Sequence, residues 1–271
     1  MNHRRAIGKT IGFCLLTGGL YLLWLAVFPF VFAGAARRWR NFIFRSWAGA
    51  MITLLAIKMS VRGIAPAPPF FLVSNHLSYL DVIVFAARLD CVFVAKSEVA
   101  GWPIFGLMGR SMNTIFVDRR NRRDLSRVNE LIDQAHRAGQ GVILFPEGTS
   151  TCGEGVLPFK TGLLETAVSA GHPVSYASLS YRTLPNEEPA HLSVCWWGEM
   201  TFLPHLFGLF HLTEIETTLC FGAAPIQESD RKLLAEKLHS AVQANFVPVV
   251  SLNSVEKFEC EANELICLPE H

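Results

Sequence analysis

The stretch Phe70-Phe-Leu-Val-Ser-Asn-His-Leu-Ser-Tyr-Leu-Asp81 joins an apolar run to two side chains that can exchange protons. Residues 70–74 are typical of a short buried strand, and residues 78–88 have the pattern of a helix. Residues five positions apart do not share a face of an ideal helix, so His76 and Asp81 can meet only if His76 precedes the helix. A neutral imidazole that a carboxylate orients is a suitable general base near neutral pH. The stretch therefore predicts such a pair at the end of a strand.

Short apolar runs and amphipathic segments alternate over the rest of the chain. Further strands are predicted at residues 91–95, 114–117, 141–145, 174–181, 192–197 and 217–221. Further helices are predicted at residues 124–138, at residues 159–170 and from Ser229 onward. Alternating strands and helices predict an α/β fold with a mostly parallel or mixed sheet flanked by helices.

The N-terminal part has a different composition. Residues 11–36 carry no charged side chain, and this run of 26 residues exceeds the roughly 20 that a helix needs to cross a bilayer. A secretory signal has an apolar region of only about 7–15 residues, so a membrane-associated helix is the better interpretation. The sequence leaves open whether this helix spans the bilayer or forms half of a re-entrant hairpin with the apolar stretch at residues 47–57. That stretch alone is too short to span, and it fits either an interfacial segment or a buried core helix. The arginines at 37, 38, 40 and 45 predict that the rest of the chain is cytoplasmic.

The proline-rich break Ala65-Pro-Ala-Pro-Pro69 divides the chain. We expect membrane-anchoring helices in residues 1–64, a catalytic domain in residues 65–250 and a tail in residues 251–271. The net charge of +1 gives no global field for nucleic acid. The seven cysteines show neither C-x-x-C pairs nor zinc-ligand spacing, which predicts free thiols and no metal site.

Two other strand ends carry polar groups. The run 142–145 leads into Pro146-Glu-Gly-Thr-Ser150, a tight turn that would present Glu147 and Thr149 at the edge of the sheet. The strand 114–117 leads to Arg119, whose guanidinium suits an anion. A serine nucleophile, Ser74 or Ser78, is the rival to direct base catalysis. The chain has no G-x-S-x-G elbow of an α/β hydrolase.

Together, Asn75-His76-x4-Asp81, Ile115-Phe-Val-Asp-Arg119 and Phe145-Pro-Glu-Gly-Thr149 resemble the motifs of the glycerolipid acyltransferase family, over about residues 65–225. The resemblance implies that His76 is the general base and Asp81 its partner. It also implies that the acceptor is held by Arg119, Glu147, Gly148 and Thr149, with Lys96 in a segment near the head-group site. Family members take the acyl group from acyl-CoA or acyl carrier protein and use no metal or other cofactor.

The resemblance also implies the substrates and the cellular location. The expected acceptor is 1-acyl-glycerol-3-phosphate, which gives phosphatidate. The alternatives are another lysolipid, such as lyso-ornithine lipid, and a catalytically inactive membrane-binding relative. The expected partners are the bilayer, the lysolipid and the acyl donor, with the catalytic domain on the cytoplasmic side and no nucleic acid. Ser150 stands where the family usually has arginine, and Tyr176 stands where it usually has a second proline. The first departure bears on the head group of the acceptor.

Overall fold

The computed structural model describes residues 3–30, 33–118 and 121–250. In these ranges the strands are β1 (Ile57–Arg62), β2 (Phe70–Ser74), β3 (Cys91–Lys96), β4 (Ile115–Val117), β5 (Gly141–Leu144), β6 (Val174–Thr183) and β7 (Ile215–Phe221). They form one mixed sheet in the order β1-β7-β6-β2-β5-β3-β4. The β6–β7 pair is antiparallel, and the other neighbours are parallel. The prediction of an α/β fold with a mixed sheet is confirmed.

Strand β2 lies at the centre of the sheet, between β5 and β6. All five of its residues are buried, because helices cover both faces of a sheet of this kind and each side chain meets the core. Parallel strands end at the same edge, so the loops that follow β2, β5, β3 and β4 are neighbours. The three strand-end loops of the sequence analysis therefore belong to one edge of the sheet.

The helices in the described ranges are α1 (His3–Val27), α2 (Ala33–Leu54), α3 (Leu80–Arg88), α4 (Pro103–Ser111), α5 (Arg122–Arg137), α6 (Glu165–Ser169), α7 (Ala190–Ser193), α8 (Phe202–His211) and α9 (Arg231–Asn245). Short 3-10 helices cover Phe28–Phe30 and Ser97–Gly101. Side-chain caps fix two of the starts: that of α5, where Asn121 accepts the amide of Arg123, and that of α9. Asp230 accepts the amides of Lys232 and Leu233, which is why α9 begins two residues after the predicted Ser229.

Two predicted elements differ from the structure. The predicted strand at residues 192–197 is the end of α7 followed by irregular chain. Its apolar composition reflects burial against the core, since Val194 and Cys195 are fully buried. The predicted helix at residues 159–170 is reduced to α6, because the amide of Lys160 donates to the carbonyl of Pro146 and residues 159–164 follow the loop after β5.

Strand β1 was not predicted, and it lies before residue 65, the predicted start of the catalytic domain. It pairs in parallel with β7 over six residues and so belongs to the same sheet. The predicted domain boundaries themselves stay a prediction, and the tail at residues 251–271 lies outside the described residues.

Helices α1 and α2 form an antiparallel hairpin. The ammonium of Lys9 donates to the carbonyl of Leu55, and the indole of Trp47 donates to the hydroxyl of Thr17 at 3.1 Å. The guanidinium of Arg37, near the start of α2, donates to the carbonyl of Ala138 after α5. Buried residues continue from this contact to the far end of α2. The helix therefore lies along the sheet domain.

The outer surface of α1 and of the short helix that follows it is apolar. Its exposed large side chains include Ile7, Ile11, Leu15, Leu22 and Phe30. Among the described residues, His3–Phe30 is the helical stretch that is long and apolar enough to cross a membrane. This composition indicates association with a membrane.

Candidate active site

His76 and Asp81 form a hydrogen-bonded pair in the loop between β2 and α3. The Nδ1 of His76 lies 2.7 Å from the Oδ2 of Asp81. Because an ionised carboxylate only accepts, Nδ1 carries the proton and Nε2 carries the lone pair. The imidazole stacks on the ring of Phe145 with a centroid distance of 4.3 Å. The predicted pair is thus assembled with Nε2 as its basic atom.

The carboxylate of Asp81 is completely buried and fully hydrogen-bonded. Its Oδ2 also accepts the amides of Leu77 at 2.7 Å and Ser78 at 3.1 Å. Its Oδ1 accepts the hydroxyl of Tyr181 at 2.7 Å. Four donors hold the carboxylate in one position, so the orientation of the imidazole is fixed by the fold.

Tyr181 and Asn75 are functional positions that the sequence analysis did not assign. Tyr181 lies on β6, and its signal in the sequence is a phenol within a buried strand, which needs a hydrogen-bond partner. The side-chain amide of Asn75 donates to the carbonyl of Leu179 at 2.9 Å and accepts its amide at 2.8 Å. Asn75 therefore links the His76 loop to β6 through two hydrogen bonds to its backbone.

Glu147 clamps the backbone beside the imidazole. Its side chain is almost fully buried, with Oε1 accepting the amide of His76 at 2.6 Å and Oε2 accepting the amide of Leu157 at 2.8 Å. The amide of Thr151 donates to the carbonyl of His76 from the same loop. The resemblance implies that Glu147 helps to hold the acceptor. Its carboxylate binds backbone instead of lining the cavity, so any such effect passes through the loop that it holds.

Burial raises the pKa of Glu147 to about 7, although the two backbone hydrogen bonds oppose this shift. A raised pKa means that the folded state binds more protons than the unfolded state between about pH 4.5 and pH 7. We expect the stability of the native protein to fall as pH rises through this window, relative to Glu147→Gln, which has no titrating group there. Melting temperatures of both proteins in detergent at a series of pH values measure the difference. Parallel curves of melting temperature against pH for the two proteins would contradict the raised pKa of Glu147.

The turn after Glu147 borders an apolar cavity. Gly148 has φ of +78°, a conformation that favours glycine, and it lines the cavity together with Thr149 and Ser150. The side chain of Thr149 is exposed, and the hydroxyl of Ser150 donates to the carbonyl of Trp196. Two of the three residues predicted from this motif, Gly148 and Thr149, therefore face the space that His76 faces.

The cavity has a volume of about 310 Å³ and its lining is mainly apolar. His76 lines it from the strand edge, and Lys96 lines it from the end of β3. Helix α2 contributes Phe44 and Trp47. Other apolar lining residues are Phe93, Val94, Met108, Met112 and Phe116. This lining suits a hydrocarbon chain whose reactive end lies at His76.

The remaining candidates are placed as follows. Arg119 lies outside the described residues, so its predicted contact with an anion stays a prediction. Ser74 and Ser78, the rival nucleophiles, are fully buried and do not line the cavity. Within the described ranges, no group of three or more His, Cys, Asp or Glu side chains is placed to hold a metal ion.

Comparisons with known proteins agree with this arrangement. The family model for acyltransferases matches residues 58–179. The 1-acyl-sn-glycerol-3-phosphate acyltransferase of Neisseria meningitidis is 32% identical over 72% of this chain and 76% of its own length. The lyso-ornithine lipid O-acyltransferase of Brucella abortus is 32% identical over 87% of this chain and 94% of its own length.

The fold has a solved counterpart. The crystal structure of the 1-acyl-sn-glycerophosphate acyltransferase PlsC from Thermotoga maritima superposes with a TM-score of 0.63, covering 90% of this chain and 97% of that one. Its identity of 22% supports the fold alone. The identity to the two curated relatives, over most of each chain, establishes more: this protein is an acyltransferase and belongs to the glycerolipid acyltransferase family.

Proposed function

We propose that the enzyme transfers a fatty acyl group from a thioester to the hydroxyl of a lysolipid in a single displacement. The observation that supports this most directly is the His76–Asp81 pair at an apolar cavity that neither Ser74 nor Ser78 lines. The Nε2 of His76 takes the proton of the acceptor hydroxyl as that oxygen attacks the thioester carbonyl. The C–S bond then breaks, and the leaving thiolate takes the proton from the imidazolium. Asp81 stabilises the charge that the ring carries between these steps.

The cavity supplies the second part of the proposal. Phe44 and Trp47 line it and belong to α2, which is also a helix of the apolar hairpin. In this proposal a lipid chain reaches the reacting atoms from the membrane beside this helix. Burial of that chain holds its reactive end beside His76, and such positioning lowers the barrier without any covalent step.

Two acceptors are compatible with the proposal. The first is 1-acyl-glycerol-3-phosphate, which would give phosphatidate, and the second is lyso-ornithine lipid; curated relatives carry both activities in their names. The proposed donor is acyl-CoA or acyl carrier protein, and no metal or other cofactor is required. The intact His76–Asp81 pair disfavours an inactive relative.

The test is an acyl-transfer assay of the purified protein with both donors and both acceptors. We expect transfer with at least one combination and no acyl group on the protein during turnover. Failure of all four combinations would refute the proposal. An acyl-enzyme adduct in the mass spectrum would refute the single displacement and reopen nucleophilic catalysis.

The membrane prediction concerns the hairpin. A hydrophobic attachment is insensitive to ionic strength, so high-salt and carbonate washes should leave the protein in the membrane fraction. The guanidinium of Arg5 donates to the hydroxyl of Thr213, and the ammonium of Lys9 donates to the carbonyl of Leu212 at 2.8 Å. These contacts hold the start of α1 against the sheet domain.

We therefore propose that the N-terminus and the catalytic domain lie together on the cytoplasmic side. Tags at the two termini should both be inaccessible from outside intact cells. Release by salt would contradict the hydrophobic attachment. Tags on opposite sides would show a spanning helix in place of the hairpin.

A further inference from the structure

Building on the proposed function, we infer that four aromatic side chains at the cavity bind a positively charged group of the acceptor. We call Tyr79, Trp102, Trp196 and Phe202 the aromatic wall. All four line the same cavity as His76, and all are partly exposed. They come from the loop after β2, the start of α4 and the segment around the start of α8. The fold thus brings rings from three separate segments to one place beside the catalytic base.

The rings of the aromatic wall are close enough to act on one group. The Tyr79 and Phe202 centroids are 5.1 Å apart, and the Trp102 and Phe202 centroids are 5.3 Å apart. Trp196 lies 5.7 Å from Trp102 and 6.0 Å from Tyr79, in edge-to-face geometry. A cation within about 6 Å of a ring centroid is attracted by the negative face of the ring. A cation on one of these rings is therefore near its neighbours as well.

The hydroxyl of Tyr79 and the indole of Trp196 are hydrogen-bonded to other parts of the protein. The hydroxyl of Tyr79 donates to Nδ1 of His205 at 2.9 Å, and Nε2 of His205 donates to the carbonyl of Cys195 at 3.0 Å. The indole of Trp196 donates to the carbonyl of Met200 at 2.8 Å. These bonds hold the rings of Tyr79 and Trp196 in place before any ligand arrives.

The charges among the described lining residues of the cavity attract an anionic group of the acceptor, so a positively charged group would contact the aromatic wall instead. Among its described lining residues there is no aspartate or glutamate, and Lys96 is the permanent charge. An anionic group of the acceptor would lie toward Lys96, and an ammonium group would lie on the aromatic wall. A phosphate dianion placed against the same rings would meet their negative faces and be repelled.

Ser150 connects this wall to the loop beside His76. Its hydroxyl donates to the carbonyl of Trp196, and its side chain lines the cavity without charge. A guanidinium here would lie close to Trp196 and compete with the acceptor for the rings. The neutral serine places no positive charge beside Trp196 that would compete with a cation from the lipid.

Lyso-ornithine lipid has the required chemistry, because its head group carries a carboxylate and a side-chain ammonium. The aromatic wall thus favours the second of the two proposed acceptors. The probe for the test is lyso-ornithine lipid, and its control is the same lipid with the side-chain amine acetylated. Acetylation removes the charge but keeps the chain and the hydroxyl that is acylated.

We expect kcat/KM to be about 3- to 30-fold higher for the amine than for the acetylated lipid, the range of one cation–π contact. Trp102→Leu and Trp196→Leu should reduce this ratio toward one, whereas Trp102→Phe and Trp196→Phe should retain part of it. Phe44→Leu, an aromatic substitution elsewhere on the cavity, should leave the ratio unchanged. Ser150→Arg should lower the ratio and increase activity with 1-acyl-glycerol-3-phosphate relative to the amine.

A ratio near one in the native protein, or a ratio that the leucine variants leave unchanged, would overturn the inference and assign the wall to hydrocarbon contacts. Binding of the two lipids to His76→Ala gives the ratio of their affinities without turnover. If native protein transfers to neither lyso-ornithine lipid nor 1-acyl-glycerol-3-phosphate, the proposed function fails. The binding ratio then still decides whether the wall recognises an ammonium group.

Discussion

His76→Ala is expected to lower kcat by about 10²–10⁴-fold at saturating acceptor, the range typical of a general base. The substitution removes Nε2, the atom proposed to accept the proton of the attacking hydroxyl. It leaves the backbone of residue 76 clamped by Glu147 and Thr151. It also leaves Oδ2 of Asp81 with two amide donors. No buried group loses its last partner, so the fold should persist.

His239→Ala is the matched control for this variant. Nε2 of His239 is hydrogen-bonded to the carbonyl of Val156 at 2.9 Å, and its ring contacts Phe159, but it does not line the cavity. Its loss removes a hydrogen bond and a ring contact of a side chain that does not line the cavity. Initial rates at saturating donor and acceptor compare the two variants. Near-native turnover in His76→Ala, or an equal loss in both, would refute the role of the base.

The sequence predicted the catalytic edge of the sheet well because the signals there are local. A buried strand appears in the sequence as an apolar run, and the loop that follows it is adjacent in the chain. The sequence therefore predicted β2 and the pair His76–Asp81 together. The same holds for β5 and the turn at Gly148. Parallel pairing of these strands then brings the loops together without further information.

The side chains that support the site could not be predicted from local signals, because they come from distant parts of the chain. Tyr181 reaches Asp81 across 100 positions, and Trp196 reaches Trp102 across the sheet edge. No local sequence pattern identifies the residue that a buried phenol or a partly exposed indole contacts. The segment at residues 192–197 shows the same limit, since burial against the core gave it the composition of a strand.

For a related reason, the sequence left open whether the apolar N-terminal helix spans the bilayer or forms half of a hairpin. An apolar helix has the same composition whether it crosses a bilayer or folds back within it. The contacts of Lys9 and Trp47 decide the packing, and they depend on tertiary structure. The unpredicted strand β1 follows from the hairpin, because α2 delivers the chain to the edge of the sheet next to β7.

Asp81→Asn should lower kcat strongly, on the order of 10²-fold or more, with a smaller effect on acceptor KM. An asparagine can be accommodated if its carbonyl oxygen replaces Oδ2, because this atom still accepts from His76, Leu77 and Ser78. Its amide group then faces the hydroxyl of Tyr181, which can turn to accept. The hydrogen bonds survive in number and the fold is kept. The negative charge that stabilises the imidazolium is lost.

Tyr181→Phe separates the charge of Asp81 from its position. This variant removes one of the four hydrogen bonds to the carboxylate and leaves the charge in place. It should lower stability by about 1–3 kcal/mol and kcat by less than Asp81→Asn does. Steady-state kinetics against acceptor concentration, with melting temperatures for both variants, give the comparison. If Asp81→Asn raises KM alone, the carboxylate serves acceptor binding. If the two variants lose kcat equally, orientation outweighs charge, and the electrostatic part of the mechanism is wrong.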